Sequence, residues 1–322
     1  MSESLSLWPQ GFEDLITEKL AAFRTRFGEA VALFDADETL WHGDIVEAHY
    51  ALMEVVRRHD AYNFEGHPTV EHKADESMVA YYQRLYDAQG VHIAFEWACD
   101  VYGGHKVKDI LSEAKLLFAQ ERKDLDDLSY PRPKFYEAQR QLLRWLKAHD
   151  VKAWVISASP EILIHAALIA LDLTDEIPLH RGIGVNYALK LDGKEIDTLE
   201  LRRQGKDMSN AIGELLNTPG VEVTANRRGP LTWQEGKVEG FRLFHSNDAK
   251  PFLVAGDSPN DFAMQFLTPH DCGLRVRIAK DPKHEAVRLK ATQDQAATLG
   301  WSHSVEEDLK GWIDIDPIPW RS

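Results

Sequence analysis

The chain has 322 residues, 44% of them hydrophobic and 28% charged, enough for a folded protein of one or two domains with a sizeable core. Its net charge of −15 disfavours nonspecific binding to nucleic acid or to an anionic membrane, because an acidic surface repels both at long range. Cys99 and Cys272 are far apart and give no metal-binding spacing, and no run approaches the roughly 20 apolar residues of a membrane span. A cytoplasmic protein without a secretory signal, a membrane partner or a nucleic-acid partner is therefore expected.

Residues 11–27 place Phe12, Leu15, Ile16, Leu20 and Phe23 at helical spacing, which predicts an amphipathic lead-in helix. The short apolar run 30–34 then ends at Asp35 and reads as a buried parallel strand with polar residues at its carboxyl end. Mostly helical patterns follow over 45–58, 78–88, 107–118 and 134–146, with a Pro-rich break at 129–133. That is too much chain for a crossover connection, so 44–149 is expected to be a helical domain inserted into an α/β domain made of 1–43 and 150–322. The strand grammar returns at 152–156, which runs into Ser157, and at 251–255, which runs into Gly256 and Asp257. Between them, 184–189 could be a strand and Asp192-Gly193 a hairpin turn. A strand over 274–278 and a helix over 283–291 should complete the sheet domain, and the aromatic tail 301–322 should dock on its surface. Strands that deliver polar residues at their carboxyl ends describe an open α/β sheet with its active site along that edge.

Three of those strand ends carry chemistry. Asp35 and Asp37, at i and i+2 where a strand passes into a loop, can face one centre once the pleat is broken, and Thr39 can hydrogen-bond the loop and fix its shape. Asp257, in Gly256-Asp257-Ser258-Pro259-Asn260-Asp261, would add a further carboxylate to an oxygen-rich site of the kind that hard cations such as Mg2+ prefer. Ser157 is followed by small residues that leave backbone N–H groups open above a helix start, which suits a phosphate oxygen. Each also has a bland reading, as a turn or a helix cap, and for Ser159 followed by Pro160 the cap is preferred.

In combination these residues resemble the haloacid dehalogenase superfamily, in the phosphoserine-phosphatase-like branch whose helical cap follows the first motif. The motifs stand here as Asp35-Ala36-Asp37-Glu38-Thr39, Ser157, a lysine at Lys237 ahead of a short helix to Phe244, and Gly256-Asp257 through Asp261. The resemblance implies a Rossmann-like three-layer α/β/α core with a parallel sheet and an inserted α-helical cap. It implies a magnesium-dependent phosphatase in which Asp35 is the nucleophile that becomes an aspartyl-phosphate and Asp37 the general acid and base. Asp35, the backbone carbonyl of Asp37 and Asp257 would hold Mg2+, while Ser157, Ala158 and Lys237 would hold the phosphate. Asn260 and Asp261 would support that shell, Asp261 by orienting Lys237 or a metal-bound water. The superfamily's dehalogenases lack the second acid, so Asp37 points to a leaving group that needs a proton.

A cap reads the leaving group, so substrate choice should lie within the inserted domain. In phosphoserine phosphatases an acidic residue nine positions after the nucleophile faces the substrate's amino group, and Asp44 stands nine after Asp35. Asp44 is also a favoured N-cap for the helix expected from Ile45. Arg84 is a positional candidate for a substrate carboxylate. Tyr81, Tyr82, Tyr86, Phe95, Trp97, Tyr102 and Trp41 could cage a quaternary ammonium, as phosphorylcholine would require, or could simply be core. Hydrolysis of a small phosphomonoester is the leading expectation, with a phosphotransferase or mutase of the same fold, or a binding protein that has lost catalysis, as alternatives.

Overall fold

The computed structural model describes residues 4–56, 66–73, 75–203, 208–278, 284–299 and 312–315. In chain order the elements are α1 (Phe12–Phe27), β1 (Val31–Phe34), β2 (Trp41–His42), α2 (Ile45–Val56), α3 (Met78–Gln89), α4 (Val91–Asp100) and α5 (Val107–Phe118). Then come β3 (Lys134–Phe135), α6 (Glu137–Ala148), β4 (Lys152–Pro160), α7 (Glu161–Ala170), β5 (Gly182–Leu191), β6 (Lys194–Ile196), α8 (Thr198–Arg203) and α9 (Met208–Asn217). The chain continues through β7 (Glu222–Arg228), α10 (Glu235–Arg242), β8 (Leu253–Gly256), α11 (Phe262–Gln265), β9 (Leu274–Ile278), α12 (His284–Leu299) and β10 (Trp312–Ile315).

Two compact units emerge. The first contains the chain up to His42, Phe135–Ser157 and everything described from Thr232 onward. Its sheet runs in the order β10-β9-β8-β1-β4, and every neighbouring pair is parallel. β1, β8 and β9 are buried at every position, as expected of parallel strands covered on both faces. Phe34 is paired with Val155 on one side and Ala255 on the other, so the carboxyl ends of β4, β1 and β8 stand side by side. Helix α1 starts after Gly11 (φ 84°) and ends at Gly28 (φ 79°), and it buries Phe12, Ile16, Leu20 and Phe23 along one stripe. Phe23 meets Phe252 edge-on at 5.5 Å, just ahead of β8. Burying side chains of this size is worth roughly 1.5–3 kcal/mol each, which fixes the helix to the strand that carries Asp257.

The second unit contains Gly43–Lys134 and Ala158–Leu231. It holds α2–α5 together with an antiparallel trio in which β5 pairs with both β6 and β7. Asp192 and Gly193 both take positive φ (51° and 78°) and form the β5–β6 hairpin turn that this dipeptide favours. By compactness 158–231 groups with the helical segment, whereas the sequence assigns it to the α/β domain. Helix α5 packs on α7, and a backbone ladder that the sequence does not announce joins the two segments as well: Gly104 N–H donates to Val223 O, Val223 N–H to His105 O and Val107 N–H to Val221 O. The boundary falls inside the continuous strand β4, between Ser157 and Ala158.

Other differences are local. α4 was not anticipated as a separate helix, and α6 begins at Glu137 because Lys134–Phe135 is extended. β4 stays extended through Pro160, so α7 starts at Glu161 with Pro160 at its N-cap and no side-chain cap hydrogen bond. Ser159 is therefore not the cap expected of it. Of the tail expected to dock on the sheet domain, residues 312–315 form a strand parallel to β9. The rest of 301–322, the last two residues of the helix expected over 45–58 and the start of the one expected over 283–291 lie outside the described residues. Among the described residues no helix is long and apolar enough to cross a membrane.

Candidate active site

The first unit gathers Asp35, Asp37, Ser157, Lys237, Asp257 and Asp261 around the carboxyl edge of β4, β1 and β8. Asp35 directly follows β1, and its N–H donates to Ala255 O at 3.0 Å, which continues the ladder one residue beyond the strand. The chain then winds tightly. Ala36 O accepts from Leu40 N–H at 2.8 Å and Thr39 N–H at 3.2 Å, and Glu38 takes the left-handed region at φ 55°. Helix α6 pins this loop from outside, through Gln139 Nε2 to Thr39 O (2.9 Å), and Tyr136 N–H adds a bond to Leu40 O (3.0 Å). Thr39 Oγ1, expected to fix the loop, is buried with no hydrogen-bond partner among the described residues. The backbone around Ala36 O does that work instead.

Lys237 sits in the first turn of α10 rather than ahead of the helix, and is 2% exposed. Its ammonium lies 2.6 Å from both Asp35 Oδ1 and Asp261 Oδ1. Asp261 turns its other oxygen back on the chain, where Oδ2 accepts from Asp257 N–H (3.0 Å) and Ser258 N–H (3.1 Å). This arrangement explains Gly256: a Cβ there would lie 2.5 Å from Asp261 Cβ, Cγ and Oδ2. Asp261 thus links the Lys237 ammonium to the backbone of the turn that carries Asp257 and Ser258. Asn260 is half-buried in the same turn. Ser157 is buried in β4, two residues beyond the partner of Phe34, and its carbonyl accepts a 2.5 Å hydrogen bond from the buried Thr232 hydroxyl. Ala158 follows in the same strand and its carbonyl accepts from Cys99 Sγ at 3.5 Å.

Charge is unbalanced here. Asp35 is pushed up to about 7, first by burial and then by the negative charges of Asp261 and Asp37, with Lys237 opposing them. Burial pulls Lys237 down, but Asp261 and Asp35 outweigh it and hold the ammonium above its ordinary value. Oxygens of Asp35, Asp257 and Asp261 lie within 4.8 Å of one another. So dense a set of hard oxygen donors, facing a single lysine, fits a hard divalent cation. Asp261 is the least suited of the three as a ligand, because its two oxygens already serve Lys237 and two backbone N–H groups.

Within the second unit, Asp44 Oδ1 accepts from Val46 N–H (2.8 Å) and Glu47 N–H (3.1 Å), which is N-cap geometry for α2. Arg84 is committed to Glu76, at 2.7 and 2.5 Å, and to Glu71 O. Trp97 is the hub of an aromatic cluster, with ring centroids 4.9 Å from Tyr81, 6.0 Å from Tyr50 and 6.5 Å from Tyr82. Tyr102 joins through Tyr50 at 6.3 Å and stacks on His49, whose other nitrogen meets Glu113 at 3.0 Å. Tyr86 is 41% exposed, and Trp41 belongs to the first unit.

Thr232, the close approach of Asp261 that requires a glycine at 256, and the hydrogen bond from Trp41 Nε1 to Asp37 Oδ1 (2.8 Å) were not legible in the sequence. For Trp41 the available signal was its spacing of four residues from Asp37.

The family described as haloacid dehalogenase-like hydrolase matches residues 32–213, more than half of the chain. A phosphorylcholine phosphatase of Pseudomonas aeruginosa is 24% identical over 310 residues, covering 89% of this chain and 85% of that protein. A conserved protein of unknown function from Anaerococcus prevotii is similar in structure, with TM-score 0.55 and 16% identity, covering 89% of this chain and 90% of that one. A protein of unknown function from Bordetella pertussis gives TM-score 0.51 at 12% identity, covering 89% and 98%. Both share the fold.

Proposed function

Because this chain belongs to the haloacid dehalogenase-like hydrolases and is one of their phosphoric monoester hydrolases, we propose that Asp35 is its nucleophile and Asp37 its acid and base. The observation that carries this reading is the Lys237 bridge, which holds one oxygen of Asp35 2.6 Å from a buried ammonium beside Asp257 and Asp261. In the first step an Asp35 oxygen bonds to phosphorus as the ester P–O bond breaks, and Asp37 gives its proton to the departing alkoxide. In the second a water oxygen bonds to phosphorus and passes its proton to Asp37, and the aspartyl P–O bond breaks to release phosphate. Lys237, with the Ser157 hydroxyl and the N–H of Ala158, would stabilise charge on the equatorial phosphoryl oxygens. Mg2+, held by Asp35, the Asp37 carbonyl and Asp257, would offset the repulsion between the carboxylate nucleophile and an anionic ester.

The test is phosphate release from a panel of phosphomonoesters with Mg2+, run beside Asp35→Asn and with added alcohols as competing acceptors. The expected result is release to water by the wild type and none above background from the folded variant. Wild-type-like release from Asp35→Asn, or transfer chiefly to the alcohol, would contradict the assignment.

We further infer that the preferred ester bears a cationic nitrogen. Burial pushes the Tyr82 and Tyr130 phenols up, and the carboxylates of Asp44 and Glu47 push them further, so negative charge faces part of the aromatic cluster. Carboxylates beside aromatic faces attract an ammonium by charge and by cation–π contact, worth about 2 kcal/mol or more when desolvated. The named activity of the Pseudomonas relative agrees with such a substrate. On this reading Asp44 both caps α2 and attracts the substrate. Choline, ethanolamine and serine phosphates should surpass a neutral alkyl phosphate in kcat/KM by about tenfold or more. Asp44→Asn and Trp97→Leu should raise KM for the cationic esters alone. Equal losses on neutral and cationic esters would remove this part of the proposal.

A further inference from the structure

Asp37 is not left to find its own orientation. The indole of Trp41 is fully buried, and its Nε1–H donates to Asp37 Oδ1 at 2.8 Å. The backbone is folded to make that contact. Ala36 O collects the N–H groups of Thr39, Leu40 and, at 3.5 Å, Trp41, while Asp37 and Trp41 face each other as an isolated bridge pair. Glu38, between them, occupies the left-handed region, which is costly for a residue with a side chain. Its carboxylate meets His42 Nδ1 at 3.0 Å, so the loop is closed by two side-chain pairs, each four residues apart. An indole N–H can donate but cannot accept. While it holds Oδ1 as an acceptor, the proton that Asp37 exchanges must be carried on Oδ2, and the carboxyl plane is fixed about that bond.

We propose that Trp41 is a positioning residue that aims the proton-carrying oxygen of Asp37 at the leaving-group oxygen of the ester. The inference rests on the acid role given to Asp37 above, and its test keeps the two apart. General-acid help matters most for a poor leaving group, such as an alkoxide, and little for dinitrophenolate, which departs without a proton. kcat/KM is the quantity to read, because it reports the steps up to departure of the leaving group. The later attack of water is common to both substrates.

The experiment compares an alkyl phosphate with dinitrophenyl phosphate for the wild type, Asp37→Asn and Trp41→Phe. Trp41 is also replaced by benzothienylalanine, which keeps the indole shape but carries sulfur in place of N–H. The last variant guards against a folding defect in Trp41→Phe, and thermal melts accompany all four proteins. Both Trp41 variants should lose about tenfold to a hundredfold in kcat/KM on the alkyl ester, a part of the roughly 100–10,000-fold that general acid–base catalysis supplies. On the dinitrophenyl ester they should stay within about threefold of wild type, an allowance far below that loss, with KM little changed on either substrate. Equal losses on both esters would make Trp41 a purely structural residue and overturn the inference, as would a fully active benzothienyl variant. If Asp37→Asn itself fails to discriminate between leaving groups, the acid role of Asp37 is wrong and the inference falls with it.

Discussion

Lys237 decides the electrostatics of the site. Its buried ammonium faces Asp35 and Asp261, so removing it leaves two carboxylates in a poorly solvated place with no cation between them. Lys237→Met is therefore expected to destabilise the first unit by about 3–5 kcal/mol, the usual cost of breaking a buried pair from one side. Chemical denaturation followed by near-ultraviolet circular dichroism would measure it, and an unchanged midpoint would contradict the bridge. Gly256→Ala makes a matching test from the other end. Its Cβ would push into Asp261, so activity should fall about a hundredfold or more, as when catalytic groups are displaced by an ångström. At this scale the sequence marks residues that carry their own chemistry at a strand end, as at Asp35, Asp37, Ser157 and Asp257, while Lys237, inside α10, is marked only by the order of the motifs. It passes over Thr232, marks Gly256 only as part of a motif and Trp41 only as a candidate cage aromatic, and does not show the contacts that folding brings against them. A hydroxyl and a missing Cβ have no spacing rule that announces such contacts, and the four-residue step from Asp37 to Trp41 speaks only once the loop is known to wind back on itself.

The elements show the same division. β1 and β8 were legible because continuous burial leaves a continuous apolar run, β9 because Leu274, Val276 and Ile278 alternate with Arg275 and Arg277, and the α1 stripe because helical periodicity survives in sequence. β7 and the ladder that joins it to 104–107 were not, since a half-exposed antiparallel strand leaves a weaker pattern. The second unit also holds a polar cluster that the motifs do not predict. Arg202 bridges Glu161 at 2.8 and 3.2 Å and donates to Gly182 O and His165 Nε2, while Asn186 Nδ2 reaches Glu161 and Thr198. This network ties α7, β5 and α8 together. Burial drives His165 down to about 4, with Arg202 adding to the depression and Glu161 opposing it. The unfolded chain takes up that proton near 6.5, whereas the folded chain resists until about 4. Stability from this group is thus complete above pH 6.5 and declines as pH falls through that window, by at most about 3 kcal/mol. His165→Gln should flatten the decline between pH 6.5 and 4. Urea midpoints measured across the window give the answer, and an unchanged slope would place the acid sensitivity elsewhere.

For the whole molecule, the carboxylates around Asp35 make a local demand for a cation. The pKa of Asp35 is raised, so without metal its contribution to stability is present at low pH and is lost as pH rises through about 7. Mg2+ should reverse that loss, with melting temperature rising above pH 7 when Mg2+ replaces EDTA. At a hundred times the dissociation constant the gain is about 2.7 kcal/mol, or roughly 4 °C for a chain of this length. Asp257→Asn should abolish most of the shift. The α/β class and the parallel sheet were readable from the strand grammar, while the grouping of 158–231 with the helical segment needed the packing of α5 on α7 and the three-dimensional ladder. The proposed chemistry passes through a covalent phosphoryl group on Asp35. Rapid acid quench during turnover of a phosphomonoester, followed by peptide mapping, tests it most directly. A phosphoryl group should appear on Asp35, be released by neutral hydroxylamine, and be missing from Asp35→Asn. Turnover in which Asp35 never carries phosphate, or carries it no more than its neighbours do, would contradict the account.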